Sequence, residues 1–372
     1  MSDALPEPDR IEGAPHPRET LQLFGQDAAI AQFLDAYNSK RLHSGWMITG
    51  PRGVGKATLA WKIATFLLSE SPDDGLFGEA APATDLLVPS DHPDARLVQS
   101  GAHPRLFVVR RPVDDKTGKL KSDITVDAVR GLKGFFQMSA ADGGRRVVIV
   151  DAADEMNRNA ANAILKELEE PPARTTILLV AHQPSRLLPT IRSRCRELRC
   201  GPLAPQALEA ALEQAGQQTE APDALASLSG GSAGDAIRLI NHDGLPLYAE
   251  LIQLFDGLPC IARPAALKLA DSCTGRGAEV RFGMTLDLID HFLARAARSG
   301  LIGEPTSQGA PGEARLLARI SPHDQAARAW ADLQQSLGAR ARHGKAVNLD
   351  PAALILDMVF KIEETAQQVA AS

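Results

Sequence analysis

The stretch Trp46–Thr58, WMITGPRGVGKAT, decides the reading of this chain. Trp46 to Ile48 is a short apolar run that leads into Gly50, and Gly50-Pro51-Arg52-Gly53-Val54-Gly55-Lys56 fits the phosphate-binding loop G-x-x-x-x-G-K. Glycines are needed there because backbone N–H groups must turn inward on phosphate oxygens, while the following helix offers its positive end and Lys56 a point charge. The pattern fails at its last position, where Ala57 replaces the Ser or Thr hydroxyl that would hold Mg²⁺. Thr58 comes next, but one helical step turns a side chain by roughly 100°, so its hydroxyl is expected to point away from the metal. Leu59, Ile63, Phe66 and Leu67 predict an apolar helix after the loop, which makes a purely structural glycine turn the weaker reading. The loop reads as a nucleotide cradle poorly equipped for hydrolysis.

With 372 residues, 44% of them hydrophobic and 23% charged, the chain is long enough for two or three globular domains. A net charge of -6 argues against a protein that grips nucleic acid by itself. Cys195, Cys200, Cys260 and Cys273 form no C-x-x-C pair, so buried thiols in a reducing compartment are expected. The acidic start MSDALPEPDRIEG lacks an apolar core, and no run of about 18 apolar residues follows; a cytoplasmic protein is expected.

Residues 1–18, with Pro6, Pro8, Pro15 and Pro17, read as a disordered leader. Leu21 to Tyr37 predicts a helix, and Ser69 to Ala102 a long loop rich in Pro, Gly and Asp. That loop and its border hold His92 and His103 but no Cys, so solvated polar side chains are preferred over a metal site. Strands are predicted at Arg105–Arg111, Arg145–Asp151 and Thr175–Val180, alternating with helices at Ile124–Phe136 and Met156–Glu169. The run RRVVIVD is unbroken and β-branched, as in a parallel strand buried on both faces, and Asp151 ends it where a Walker B carboxylate positions Mg²⁺. Ala152 follows, where hydrolysing enzymes of this type commonly carry a Glu. Asp154 and Glu155 are read as a cap on the next helix in preference to a substitute for that Glu. In IRSRCREL and the residue after it, Arg192, Arg194, Arg196 and Arg199 alternate with Ser193 and Cys195, which predicts one basic face aimed at an anionic partner. A solvated charged edge is the rival reading.

The alternation of strands and helices gives an α/β parallel-sheet P-loop domain over residues 19–201. Beyond Pro202 the strands stop, and short helical patterns make a small helical domain over 202–245. Residues 246–372 predict an all-α domain, including a helix capped by Asp350 with Pro351 at its first position.

GPRGVGKATLA, VVIVDAADEMN, NAILKELEEPP, RLLPTIRSRC and GGSAGDAIRLI, in this order, resemble the clamp-loader branch of the AAA+ ATPases. The resemblance spans about residues 20–245, and reaches the C-terminal part by position and type only. It implies an AAA+ domain, a helical lid domain and an all-α collar domain that joins the subunits of a ring. It also implies that Arg194, after Ser193, acts as an arginine finger in the ATP site of a neighbouring subunit. Implied partners are ATPase subunits of the gamma/tau type and a delta-type subunit, with the sliding clamp and primer-template DNA met through the complex. The departures run one way: Ala57 and Ala152 remove hydrolytic groups, Gly234 stands where active loaders carry a sensor arginine, and His182 where they carry a sensor threonine. A non-hydrolysing stator is expected, with no ATPase activity of its own. Gly50, Gly53, Gly55, Lys56, Ala57, Thr58 and Asp151 are the expected contacts of a weakly bound ATP or ADP, and Ala57 leaves Mg²⁺ binding open. Zinc is not expected, because the four-cysteine module of many relatives is missing from 69–102. An active motor subunit or another AAA+ DNA-processing ATPase is the alternative, and a structural protein with a vestigial loop the third reading.

Overall fold

The computed structural model describes residues 7–70, 81–114, 116–137 and 143–371. The chain forms two compact units, Met1–Gln218 with Gly231–Ile237, and Thr219–Gly230 with Arg238–Ser372. This division differs from the three domains that composition marks off near residues 201 and 245.

The first unit is built on five parallel strands. In chain order its elements are α1 (Asp27–Asn38), β1 (Gly45–Thr49), α2 (Lys56–Leu68), α3 (Pro93–Gln99), β2 (Leu106–Arg110), α4 (Val126–Gln137), β3 (Arg146–Asp151), α5 (Arg158–Glu169), β4 (Thr175–Ala181), α6 (Pro189–Arg192), β5 (Arg196–Arg199) and α7 (Pro205–Gln214). The sheet runs β2-β3-β4-β1-β5. Alternate residues of the central strands feed two cores. Trp46, Ile48, Val147, Ile149, Leu178 and Val180 pack with Phe33 of α1 and Leu59, Ile63 and Leu67 of α2. Met47, Val148, Val150, Ile177 and Leu179 pack with Leu132 of α4 and Ile164 and Leu168 of α5. Both faces are therefore covered, as a parallel sheet requires, and a one-residue slip would exchange the two cores. β4 lies between β1 and β3, so the ends of these three strands bring the P-loop, His182 and Asp151 to one edge.

Two expectations change. The leader is ordered from residue 7: His16 is fully buried, 5.8 Å edge-on to Trp61, and Asp9 Oδ2 lies 3.1 Å from His16 Nε2. Glu7 Oε1 accepts from Arg18 and Arg110, each at 3.0 Å. Burial raises the Glu7 carboxyl, but Arg110, His16, Arg10 and Arg18 hold it down at about 2. Charge pairs within the leader, tied to the sheet through the distant Arg110, order a segment that has no periodicity of its own. Residues 1–6 lie outside the described residues. In the stretch read as loop, α3 is capped by His92, whose ring accepts from the Asp94 N–H, and His103 Nε2 lies 3.0 Å from Asp94 Oδ1; residues 71–80 lie outside the description.

The second unit is helical: α8 (Pro222–Ser229), the later part of α9 (Ala233–Asn241), α10 (Gly244–Phe255), α11 (Arg263–Ser272), α12 (Glu279–Ile302), α13 (Glu313–Ile320), α14 (Asp324–Ala346) and α15 (Pro351–Ala371). The Asp350 cap is present, accepting from the Ala353 N–H at 3.0 Å. Phe255 stacks on Phe292 at 4.6 Å, and Trp330 is buried with its indole N–H donating to the Ile320 carbonyl at 2.8 Å. Glu313, fully buried, accepts from Tyr248 Oη at 2.6 Å, the Gly309 N–H at 2.6 Å and two nitrogens of Arg295 at 2.5 and 3.0 Å. A buried carboxylate so fully satisfied fixes how α10, α12 and α13 meet.

Candidate functional site

The P-loop links β1 to α2, and its shape depends on backbone that only glycine adopts readily. Gly50 has φ 141° and Gly53 φ 74°; a Cβ at Gly50 would lie 2.1 Å from the Cys200 carbonyl oxygen, and one at Gly53 2.2 Å from Ser232 Oγ. Gln26, buried ahead of α1, ties the loop down by donating to the carbonyls of Val54 at 3.0 Å and Gly201 at 2.9 Å. Lys56 opens α2 only 3% exposed, and its ammonium donates to the carbonyls of Gly50, at 2.8 Å, and Pro51. Burial lowers Lys56 to about 8, against the pull of Cys200, Asp151 and Asp154. The loop's own carbonyls thus take the place that phosphate oxygens would have around this cation.

Asp151 ends β3 at 7% exposure, with its Oδ2 buried and without a hydrogen-bond partner among the described residues. Burial, then Asp9 and Glu155, push its carboxyl up to about 7 although Lys56 and Arg52 pull the other way. Glu155 is taken up by Arg111, 2.8 Å away, and Arg52, 3.6 Å away. Asp154 accepts from the backbone N–H groups of His182 at 2.9 Å and Gln183 at 3.1 Å. Neither acid caps α5, contrary to the sequence reading. Asn157 does, accepting from the Ala160 N–H at 2.9 Å, because the chain first makes a short 3-10 turn at Ala153–Glu155. His182 Nδ1 has no hydrogen-bond partner among the described residues, and burial with the Lys56 charge lowers its pKa to about 4, so the ring is neutral at neutral pH.

Arg52, Glu155 and His182 line one cavity of about 220 Å³, whereas Gly50 and Asp154 are not in its wall. Gly53, Gly55, Lys56, Ala57, Thr58 and Asp151 are all in its wall. The wall also has an apolar share, with Ile11, Leu23, Phe24, Leu203 and Ile237. A phosphate cradle beside an apolar compartment fits a nucleotide. Mg²⁺ fits less well: the orphaned Asp151 oxygen would serve as one ligand, but Ala57 supplies no hydroxyl, and among the described residues no cluster of three His, Cys, Asp or Glu could hold a metal.

Gly234, in the first turn of α9, explains its own identity. Its N–H donates to the Gly53 carbonyl at 3.0 Å, and a Cβ there would lie 2.9 Å from both Gly53 Cα and Ile11 Cδ1. A side chain at 234 and this P-loop packing exclude each other. Sequence reasoning missed the leader residues Asp9, Ile11 and His16 as components of the site wall or its support; only the acids and arginines around His16 hinted at an ordered segment.

Arg194 is outside the cavity wall, between α6 and the edge strand β5. The fold gives it a carboxylate from a distant part of the sequence: Nη2 lies 2.8 Å from Glu169 Oε1, at the end of α5, and Nη1 donates to the Thr190 carbonyl at 3.0 Å. Its side chain remains 37% exposed. The single basic face is corrected too, because Pro189 starts a helical turn and β5 begins only at Arg196, so the four arginines share no strand alternation. The Arg196 guanidinium stands over the Trp46 ring at 5.7 Å.

Residues 25–204 match the family described as DNA polymerase III, delta subunit. The chain is 39% identical over 232 residues to the DNA polymerase III subunit delta' of Pseudomonas aeruginosa, a match covering 61% of this chain and 64% of that protein, somewhat under two thirds of its length. It is 28% identical over 338 residues to the DNA polymerase III subunit delta' of Escherichia coli, covering 89% and 92%. Among solved structures, a DNA polymerase III gamma subunit-related protein of Thermotoga maritima aligns over 90% of this chain and 99% of its own at 17% identity, with a TM-score of 0.39. Residues 25–204 thus carry the match to the DNA polymerase III delta-subunit family, and these two curated relatives are both DNA polymerase III delta' subunits.

Proposed function

We propose that the chain is the delta-prime subunit of a bacterial DNA polymerase III clamp loader, a non-hydrolysing stator that helps load the sliding clamp onto primed DNA in the cytoplasm. In this reading residues 202–245 are the lid, 246–372 the collar that meets gamma/tau and delta subunits, and clamp and DNA are met through the complex. The observation that carries the reading is a phosphate cradle kept whole beside missing hydrolytic groups: Gly50, Gly53, Gly55 and Lys56 are in place, while Ala57 and Ala152 offer neither metal hydroxyl nor water-orienting carboxylate. ADP or ATP binds weakly without turnover. Arg194 reaches a neighbour's ATP by exchanging the Glu169 carboxylate for phosphate, which its exposed position at the sheet edge supports.

Reconstitution with motor subunits tests the whole. Lys56→Ala in this chain should leave ATP turnover by the complex intact, since the motors carry their own loops. Steady ATP turnover by the purified chain alone, lost in Lys56→Ala, would falsify the stator reading.

A further inference from the structure

Gln214, the last residue of α7, makes a paired contact with the main chain of one residue. The Gln22 N–H donates to Gln214 Oε1 at 2.7 Å, and Gln214 Nε2 donates back to the Gln22 carbonyl at 2.9 Å. Both residues line the cavity that holds the P-loop, beside Leu23, Phe24 and Ala211. A backbone N–H and C=O from one residue form a donor and an acceptor side by side, and what complements them is a planar group with an acceptor and a donor on one carbon. The side-chain carboxamide, O=C–NH₂, is such a group. Adenine carries the same arrangement in its amidine edge, with N1 as acceptor and N6–H₂ as exocyclic donor. At the corresponding edge guanine reverses it, with O6 as exocyclic acceptor and N1–H as donor.

We propose that the Gln22 main chain is a base-reading edge for an adenine nucleotide, and that Gln214 covers this edge as a built-in competitor which adenine must displace. The proposal rests on the nucleotide reading of the P-loop. The surroundings suit a bound nucleotide, since the apolar neighbours offer the flanks of a planar base, and the P-loop residues Gly53, Gly55 and Lys56 share the same cavity for the phosphates. Gln214 is half-buried at a helix end, so its side chain can leave without disturbing the core. Nucleotide affinity is then reduced by the fraction of molecules in which Gln214 holds the edge. Inorganic polyphosphate, which has no base, escapes that reduction.

Calorimetric titration of the full chain, Gln214→Ala and Gln214→Asn with ADP, GDP and tripolyphosphate tests this. Removing two partly exposed hydrogen bonds should tighten ADP binding on the order of tenfold, with tripolyphosphate affinity unchanged. Gln214→Asn, whose amide is one methylene too short to reach, should match Gln214→Ala. Unchanged or weaker ADP binding in both variants, with tripolyphosphate still bound, overturns the competitor role and leaves the phosphate cradle standing. An equal gain for GDP overturns the adenine assignment. Failure of wild type and variants alike to bind either ADP or tripolyphosphate overturns the nucleotide reading, and this proposal with it.

Discussion

Asp151 and Arg194 are both charged residues that sequence places in phosphate chemistry, yet their surroundings differ in kind. Asp151 is buried with an unsatisfied oxygen, and its carboxyl stands near 7 instead of the ordinary 3.8. A carboxyl whose folded pKa exceeds its unfolded one binds protons more tightly when folded, so its favourable contribution is complete below about 3.8 and is lost as pH rises through about 7. Asp151→Asn should therefore stabilise the protein at pH 8 by a few kcal/mol, about 1.4 kcal/mol for each pKa unit relieved, and much less at pH 5. Denaturant unfolding at the two pH values checks this, and an equal gain at both would refute the buried-charge account. Arg194 sits in a partly exposed pair with Glu169, a contact worth about 0–1 kcal/mol. Arg194→Ala should shift the melting temperature by no more than a few degrees, roughly what 1 kcal/mol does in a domain of this size. A finger completing a site contributes on the order of 10³ to 10⁵ in turnover, but a ring has several motor sites, so the complex should lose ATP hydrolysis and clamp loading several-fold. Loading at the wild-type rate would leave Arg194 as an edge anchor bound to Glu169 and Thr190.

At the scale of elements, the P-loop and the first turn of α9 meet backbone to backbone at Gly53 and Gly234. Gly234→Ala forces a Cβ to within 2.9 Å of Gly53 Cα unless one element moves. Overpacking of this kind costs about 1–3 kcal/mol, and the expected result is lower stability together with weaker nucleotide binding, both readable in one thermal-shift titration. Wild-type values for both would mean that the junction yields freely. For the same reason Gly234→Arg should not restore a working sensor. The sequence displayed the missing arginine but not its cause, because residues 53 and 234 become neighbours only in the fold. Where a property is local, the reading was sound: Val147 to Val150 are all buried because an unbroken β-branched run must be covered on both faces, and Asp350 with Pro351 starts a helix by local hydrogen bonding. Where local pattern met a change of element, it failed. The alternation at Ile191, Ser193 and Cys195 runs from α6 into the turn ahead of β5, and a period of two has no meaning there. The leader, the Gln22–Gln214 pair and the Glu313 network were illegible for one reason, namely that each includes a partner far along the chain: Arg110 for Glu7, Gln214 for Gln22 and Tyr248 for Glu313.

The whole molecule consists of two compact units with different internal cement. One is a sheet whose strand ends hold the cavity; the other is a helical unit tied by Phe255–Phe292 stacking and the Glu313 carboxylate. A ligand that binds only one unit stabilises it by RT ln(1 + [L]/Kd), about 2.7 kcal/mol at a hundred times Kd, and hydrogen exchange reads that gain peptide by peptide. ADP should therefore slow exchange in residues 22–24, 50–58 and 231–237, which supply the cavity wall or its α9 support. Gln22 is a special case, since its N–H already donates to Gln214, so its protection should change little in wild type and rise clearly in Gln214→Ala. The long helices α12 and α14, with no residue in the cavity wall, should exchange at the same rate with and without nucleotide. ADP protection spread evenly over both units would contradict a site confined to the first one, and would require a binding mode other than the P-loop cavity.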